Sequence, residues 1–202
     1  MEKFNYKKSL GQNFLKDNNI IKKISDSINP TKNDLIIEIG PGAGALTTHL
    51  LKKECDVLCF EIDTRLREKL DSIGANVIFE DFLKIDLKKY LDKKYENIYF
   101  VGNLPYYITT AIINKIIDES SPKEIIIMIQ KEVGERFMAK PKTKQYNSLS
   151  VFLQYNFDIE KICNVSKNCF EPIPNVDSVV VKLVSHKKYE VNNENILYKL
   201  IK

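Results

Sequence analysis

The sequence Leu35-Ile36-Ile37-Glu38-Ile39-Gly40-Pro41-Gly42-Ala43-Gly44 decides the fold class. Its first half is a short apolar run, as expected for a buried parallel strand. Three glycines at alternate positions follow at once, and glycines let a backbone approach a bound ligand closely. A buried strand that leads directly into such a loop is typical of cofactor binding at the carboxyl edge of an open α/β sheet.

Strand-like and helix-like runs alternate along the rest of the chain. Further strands are predicted at 57–60, 77–79, 97–101 and 125–129, with apolar residues at helical spacing between them. Asp17 is the expected N-cap of a first helix and Thr64 that of a later one, which Gly74 is expected to end. Five such alternations predict a doubly wound, mostly parallel α/β sheet.

The last third of the chain has a different pattern. Residues 131–148 form a polar segment, and a helix is predicted around Leu149 and Leu153. The alternating runs 158–165 and 178–184 predict two antiparallel strands at the edge of the sheet. Residues 170–177, which contain two prolines, predict a rigid loop between them, and a further helix is expected over 194–202.

The amino-acid composition limits the classes of protein to which this chain can belong. The 202 residues are 44% hydrophobic and 29% charged, which suits one globular α/β domain. No apolar run approaches the ~20 residues of a membrane helix, and the N-terminus lacks a signal-peptide core. We therefore expect a cytoplasmic protein with no membrane partner. The four cysteines form no Cys-x-x-Cys pair and have no histidine nearby, so no metal site is expected.

The net charge of +4 permits an anionic partner without requiring one. The distribution of basic residues is more informative, because they form two clusters along the chain. The first contains Lys3, Lys7, Lys8, Lys16, Lys22 and Lys23, and the second contains Lys131, Arg136, Lys140, Lys142 and Lys144. These clusters indicate either a nucleic-acid surface or the solvated face of a lysine-rich protein.

Carboxylates follow two of the predicted strands. Glu61 lies 21 residues after Gly40, where a carboxylate can accept both hydroxyls of a ribose. Asp81 ends the next strand, where it could accept from an adenine amine. This spacing does not separate a dinucleotide from S-adenosylmethionine, because Ala45 can stand for the third glycine of the dinucleotide pattern.

The stretch Asn103-Leu104-Pro105-Tyr106 follows a predicted strand and precedes a helix. It offers a side-chain amide, backbone carbonyls and an aromatic face within four residues. Such a set can accept hydrogen bonds from an exocyclic amine and stack on a base. The alternative is a proline-containing turn with a packed tyrosine. Phe170 is either the second face of an aromatic clamp for a flipped base or a packing residue.

Four motifs in order resemble one family: Gln12-Asn13-Phe14-Leu15, the stretch from Glu38 to Thr47, Asn103 to Tyr107, and Phe170-x-Pro172-x-Pro174-x-Val176-Asp177-Ser178. Together they resemble the ribosomal RNA adenine N6-dimethyltransferases of the KsgA type. The resemblance implies the class I methyltransferase fold and S-adenosylmethionine as methyl donor, with S-adenosylhomocysteine as product. It also implies a monomer whose partner is small-subunit rRNA, methylated on two adjacent adenosines near its 3′ end.

The resemblance also implies roles for individual residues. The cofactor contacts fall on Asn13, Leu15, Gly40, Gly42, Glu61, Asp81 and Asn103, and the catalytic and target-base contacts fall on Asn103, Leu104, Tyr106 and Phe170. The Asn103 amide oxygen and the Leu104 carbonyl would accept the two N6 hydrogens, while Tyr106 and Phe170 would hold the base between them.

The expected domains are a basic segment and helix over 1–30, the methyltransferase domain over 31–185, and the start of a C-terminal helical domain over 186–202, the rest of which is missing. Three alternatives stay open. An Erm-type enzyme would methylate large-subunit rRNA instead, although Tyr107 favours the KsgA type. A non-catalytic ribosome-assembly factor could keep the same fold, and the glycine loop alone would allow a nicotinamide-dependent dehydrogenase.

Overall fold

The computed structural model describes residues 6–7, 11–91, 94–189 and 191–201. The strands are β1 (Phe14–Leu15), β2 (Leu35–Ile39), β3 (Asp56–Phe60), β4 (Val77–Ile78), β5 (Ile98–Asn103), β6 (Glu124–Gln130), β7 (Phe157–Val165), β8 (Phe170–Glu171) and β9 (Ser178–Ser185). The helices are α1 (Asn18–Asp26), α2 (Thr47–Leu50), α3 (Arg67–Ser72), α4 (Thr109–Glu119), α5 (Lys131–Phe137), α6 (Ser148–Asn156) and α7 (Glu194–Ile201). Short 3₁₀ helices lie at Thr64–Leu66, Leu87–Tyr90 and Lys167–Cys169.

Seven strands form one sheet in the order β4-β3-β2-β5-β6-β9-β7. The first five are parallel to one another, and β9 pairs antiparallel with both β6 and β7. The predicted doubly wound sheet with an antiparallel edge is confirmed. The strand order reverses at β2, and the ends of β2, β3 and β5 therefore border the crevice where open α/β sheets bind ligands.

Both faces of the central strands are covered, and β2 is buried along its whole length. Ile37 and Ile39 belong to one apolar core, while Ile36 belongs to the other. This division follows from the alternation of side chains along a strand. Helix α4 packs on the first core through Ile112 and Ile116, and α1 packs on the second. A strand covered on both faces is a rigid support for the loops at its end.

The residues predicted to begin and end the helices were correct in two cases out of three. The Asp17 carboxylate accepts from the backbone N–H groups of Asn19 and Ile20 at 2.9 and 3.1 Å, so the predicted cap of α1 is confirmed. Thr64 is not a cap, because the chain turns one residue earlier. There the Asp63 carboxylate accepts from the Arg65 N–H at 3.2 Å. Gly74 has a φ of +73° just beyond α3, as predicted.

Three other elements differ from the sequence-based prediction. Strand β5 continues through Asn103, so the acceptor motif begins inside a strand. The polar segment 131–148 contains α5, whose charged residues face outward while Gly134 and Phe137 are buried. The predicted loop over 170–177 begins with β8, which pairs antiparallel with β1. None of the described helices has the length and apolar character needed to cross a membrane.

Candidate cofactor and acceptor site

A cavity of about 240 Å³ lies at the carboxyl ends of β2, β3 and β5. It is where the predicted sheet would place a ligand site. It is lined by Gly11, Gln12, Asn13, Phe14, Ile39, Gly40, Gly42, Phe60, Glu61, Ile62, Glu80, Asp81, Phe82, Leu83, Asn103, Leu104, Pro105, Tyr106, Tyr107, Ile108 and Ile112. Seven of the predicted cofactor and base contacts therefore share one cavity with the aromatic residue Tyr106.

The glycine loop forms one wall of the cavity. Gly40 and Gly42 have φ values of +70° and +57°, a region that side chains other than glycine rarely adopt. A Cβ on Gly42 would lie 2.9 Å from the Phe14 ring, whereas a Cβ on Gly40 would meet no atom within 4 Å. The space beside Gly40 is therefore cavity, and a side chain at that position would fill it.

Glu61 lies at the base of this wall and is 6% exposed. Its carboxylate accepts from the backbone N–H of Gly42 at 3.0 Å and from that of Asp63 at 2.9 Å. Burial raises the pKa of Glu61, and these two backbone donors oppose the rise. Each carboxylate oxygen keeps capacity for a second hydrogen bond. Glu61 thus holds the glycine loop in place and can still accept from a ligand.

Asp81 and its neighbours form the opposite end of the cavity. The Asp81 carboxylate accepts from the backbone N–H of Leu83 at 3.0 Å, and Lys84 lies 3.9 Å away. Ile62, Phe82 and Leu83 line the space beside it. These apolar walls were not predicted from the sequence, although each lies within two residues of a carboxylate that was predicted to end a strand. Acceptors combined with apolar walls suit a flat heterocycle with an exocyclic amine.

Asn103 lies at the junction between the glycine loop and the acceptor motif. Its amide nitrogen donates to the backbone carbonyl of Asn13 at 2.8 Å. The amide oxygen therefore faces away from that carbonyl. Leu104 is buried behind it, and the next carbonyl, that of Pro105, accepts from Ile108 and Thr109.

Tyr106 lines the cavity, and its hydroxyl lies 2.9 Å from the Ser178 hydroxyl in a hydrogen bond. Ser178 is fully buried at the start of β9. Burial raises the pKa of Tyr106, so the phenol stays protonated at neutral pH. This contact joins the third and fourth sequence motifs and holds the outer end of the tyrosine ring in place.

Neither Leu15 nor Phe170 lines this cavity. The burial of Phe170 is at odds with the expected base contact, whereas the expected cofactor contact of Leu15 stays a prediction, since Leu15 lines a smaller adjoining pocket with Gly40 and Asn103. The two residues pair with each other across β1 and β8, and their side chains pack in the core beneath α1. Phe170 is 3% exposed, so its ring has no free face for a base. A short strand pair between distant segments turned both side chains inward, and neither motif signals that pairing.

Comparison with known proteins gives the family. The model of the ribosomal RNA adenine dimethylase family matches residues 3–202. The chain belongs to the ribosomal RNA adenine dimethylase family.

Individual relatives agree with this assignment. The chain is 44% identical to the ribosomal RNA small subunit methyltransferase A of Bacillus licheniformis over 92% of its own length and 66% of that relative. The crystal structure of a dimethyladenosine transferase from Plasmodium falciparum superposes with a TM-score of 0.80 at 29% identity, covering 93% of this chain and 68% of that one. The 23S rRNA methyltransferase ErmE gives a TM-score of 0.75 at 27% identity, with coverages of 94% and 77%.

Glu38 is a buried titratable residue that sequence reasoning left without a role in this dimethylase-family site. It lies one residue before the end of β2, is 2% exposed, and accepts from the Cys59 thiol at 3.6 Å. Burial raises its pKa to about 7, and the nearby Glu61 carboxylate adds to the rise. The sequence did contain a signal for this residue, namely a carboxyl side chain inside a predicted buried strand.

In the structure of this family member, two residues of the basic clusters form ion pairs and others are exposed. Lys3 and Lys8 lie outside the described residues. Lys16 pairs with Glu171, and Arg136 pairs with Glu132. Lys140, Lys142 and Lys144 are exposed in the segment between α5 and α6.

In the described part of the chain, no group of three or more His, Cys, Asp or Glu side chains could hold a metal ion.

Proposed function

We propose that this protein transfers methyl groups from S-adenosylmethionine to N6 of two adjacent adenosines near the 3′ end of small-subunit rRNA, during ribosome assembly in the cytoplasm. One observation carries the proposal. The glycine loop, Glu61 and Asp81 line the same cavity as Asn103 and Tyr106. A cofactor wall and an amine-accepting motif in one cavity allow a methyl donor and an adenine to meet.

The residues present fit the cofactor. Glu61 would accept from the ribose hydroxyls and Asp81 from the adenine amine, in a cavity that Ile62 and Phe82 also line. Gly40 leaves the space that a side chain would fill. When bound, S-adenosylmethionine supplies a methyl group that its sulfonium charge has already activated. The protein therefore has no need of a metal for this chemistry.

The protein's own task is to orient the acceptor nitrogen. The adenine N6 lone pair is delocalised into the ring, and two acceptors on its hydrogens favour a pyramidal nitrogen. We assign these two acceptor roles to the Asn103 amide oxygen and the Leu104 carbonyl. Their contribution is positioning and electrostatic stabilisation as N6 becomes cationic. The nitrogen then loses its proton to solvent, and no carboxylate base is required.

Tyr106 supplies one stacking wall for the extruded base, and its ring is anchored through Ser178. A base stacked on an aromatic ring gains on the order of 1–3 kcal/mol. Phe170 was expected to be the second wall, but it is buried and does not reach the cavity. Of the two predicted walls, Tyr106 alone lines the cavity in the described conformation, and Tyr107 is exposed at its edge.

Large-subunit rRNA is the second candidate substrate. The likeness to the 23S rRNA methyltransferase ErmE favours it, but at 27% identity against 44% for the small-subunit methyltransferase relative. Family membership argues against a nicotinamide-dependent dehydrogenase. The cavity with Glu61, Asn103 and Tyr106 together argues against a purely non-catalytic assembly factor.

The deciding experiment maps methylated adenosines after incubation of the protein and S-adenosylmethionine with undermethylated small and large ribosomal subunits. We expect two adjacent dimethyladenosines near the 3′ end of the small-subunit rRNA, formed far more slowly with Asn103→Ala. Methylation of the large subunit alone would establish the Erm-type alternative. No methylation of either subunit, with cofactor binding intact, would refute the proposal.

A further inference from the structure

Gln12 has no assigned role in the proposed reaction, although it lines the cavity. Its amide nitrogen donates to the Asp63 carboxylate at 2.7 Å, and its amide oxygen accepts from the backbone N–H of Lys7 at 2.8 Å. Both ends of the side chain are therefore used. The contact joins the N-terminal part of the chain to the residues that follow β3.

Asp63 is a strong and fixed acceptor for this contact. It is 2% exposed, and the Arg65 guanidinium donates to both of its oxygens, at 2.8 and 2.6 Å. Arg65 and Gln12 hold the pKa of Asp63 well below its usual range, so the carboxylate stays ionised. The Asp63 backbone N–H in turn donates to Glu61. Gln12 is thus attached to the same loop that carries the expected ribose acceptor.

The next residue attaches the same segment to the acceptor motif. The Asn13 carbonyl accepts from the Asn103 amide nitrogen at 2.8 Å. Gly11, with a φ of +62°, lies so close to Pro105 and Tyr107 that a Cβ there would be 3.2 and 3.3 Å from their side chains. Residues 11–14, called the strap below, therefore span the cavity from the Glu61 loop to the acceptor motif.

The strap decides which way the Asn103 amide faces. A backbone carbonyl can only accept, so the amide nitrogen must point to Asn13 and the oxygen must point away from it. The reaction needs an oxygen toward the adenine amine, because an NH₂ group there would oppose the N6 hydrogens. If the strap moved, the amide would lose the partner that distinguishes its two ends.

We propose that Gln12 and Asp63 are positioning residues: they hold the strap so that the Asn13 carbonyl orients the Asn103 amide for methyl transfer. This inference rests on the proposed function and deepens it. It couples the two halves of the site, since the loop that carries Glu61 also fixes the strap that orients Asn103. Neither Gln12 nor Asp63 needs to contact the acceptor base.

The test is a double-mutant cycle on this pair with ribosomal subunits as substrate. Gln12→Glu places a second carboxylate against Asp63, and we expect kcat to fall roughly tenfold or more, as for loss of a hydrogen bond to a charged group. Adding Asp63→Asn removes the repulsion, but it also weakens the Arg65 contact to the same oxygen that Gln12 uses, so we expect kcat to recover part of the loss and to exceed that of Gln12→Glu. KM for S-adenosylmethionine should change less than kcat in both variants.

A second readout does not depend on rRNA methylation. In the cofactor-saturated protein, exchange of the Asn103 side-chain amide protons, followed by NMR, should be faster in Gln12→Glu than in the wild type and intermediate in the double variant. Unchanged exchange and kcat in Gln12→Glu, with only a lower melting temperature, would overturn the inference. A wild-type protein that methylates nothing while the exchange pattern holds would refute the proposed function and leave the strap intact.

Discussion

Replacing Asn103 by Ala separates the chemical role of this residue from its structural one. The substitution removes one partly buried hydrogen bond to the Asn13 carbonyl, of 2.8 Å, and this costs about 0.5–1.5 kcal/mol of the free energy of unfolding. It also removes the acceptor whose bond to N6 strengthens as the nitrogen becomes cationic, so the loss falls on the transition state. By analogy with oxyanion-hole donors, the rate should fall on the order of 10²–10³, equivalent to ~2.7–4 kcal/mol.

Asn156→Ala is the matched control. Its amide nitrogen donates to the Phe152 carbonyl at the same 2.8 Å, also partly buried, in α6 and outside the cavity. It also accepts from Tyr198, so its loss should destabilise the fold at least as much. Single-turnover methylation of ribosomal subunits and thermal unfolding are measured on both variants. We expect a rate loss in Asn103→Ala alone. A wild-type rate in that variant would refute the assignment of Asn103 as the acceptor of the N6 hydrogen.

Further predictions concern the cofactor, the base, the RNA and pH. Glu61→Gln should weaken S-adenosylmethionine binding by about 1–3 kcal/mol in calorimetry, and an unchanged affinity would leave Glu61 with a purely loop-holding role. Tyr106→Phe and Ser178→Ala should slow single-turnover methylation equally and mildly, because each removes the same hydroxyl contact, while Tyr106→Ala should be severe; unequal mild effects would contradict the anchor. Neutralising five lysines of the two basic clusters together should reduce the salt slope of RNA binding by roughly one unit per lost phosphate contact and leave cofactor affinity unchanged. These lysines are Lys7, Lys8, Lys140, Lys142 and Lys144. An unaltered slope would identify them as solvated surface. With the Glu38 pKa raised from 4.5 to about 7, the folded state keeps its proton after the unfolded state has lost it, so stability falls as pH rises through this window. Relative to the wild type, Glu38→Gln should therefore gain roughly 3 kcal/mol between acid and neutral pH in denaturant titrations, and a pH-independent difference between the two proteins would contradict this assignment.

Local signals in the sequence were sufficient for the frame of the site. The bounds of β2 were predicted without error, because four of its five residues are apolar, as expected for a buried parallel strand, and it ends just before the first glycine of the loop. Asp17 capped α1 as expected, since a cap depends only on the next three residues. Glu61, Asp81 and Asn103 reached the same cavity because parallel strands present their carboxyl ends on one side of a sheet.

The tertiary structure alone decided which side chains are free to act. Phe170 and Leu15 occur in motifs that resemble functional ones, yet the pairing of β1 with β8 accompanies a buried Phe170 and a half-buried Leu15 packed against the same core. The contacts of Gln12 with Asp63 and of Tyr106 with Ser178 likewise join residues far apart in the chain. No local pattern encodes such contacts, because whether a side chain is buried or exposed depends on the surface that packs against it. That surface is contributed by distant segments and exists only once the sheet has formed.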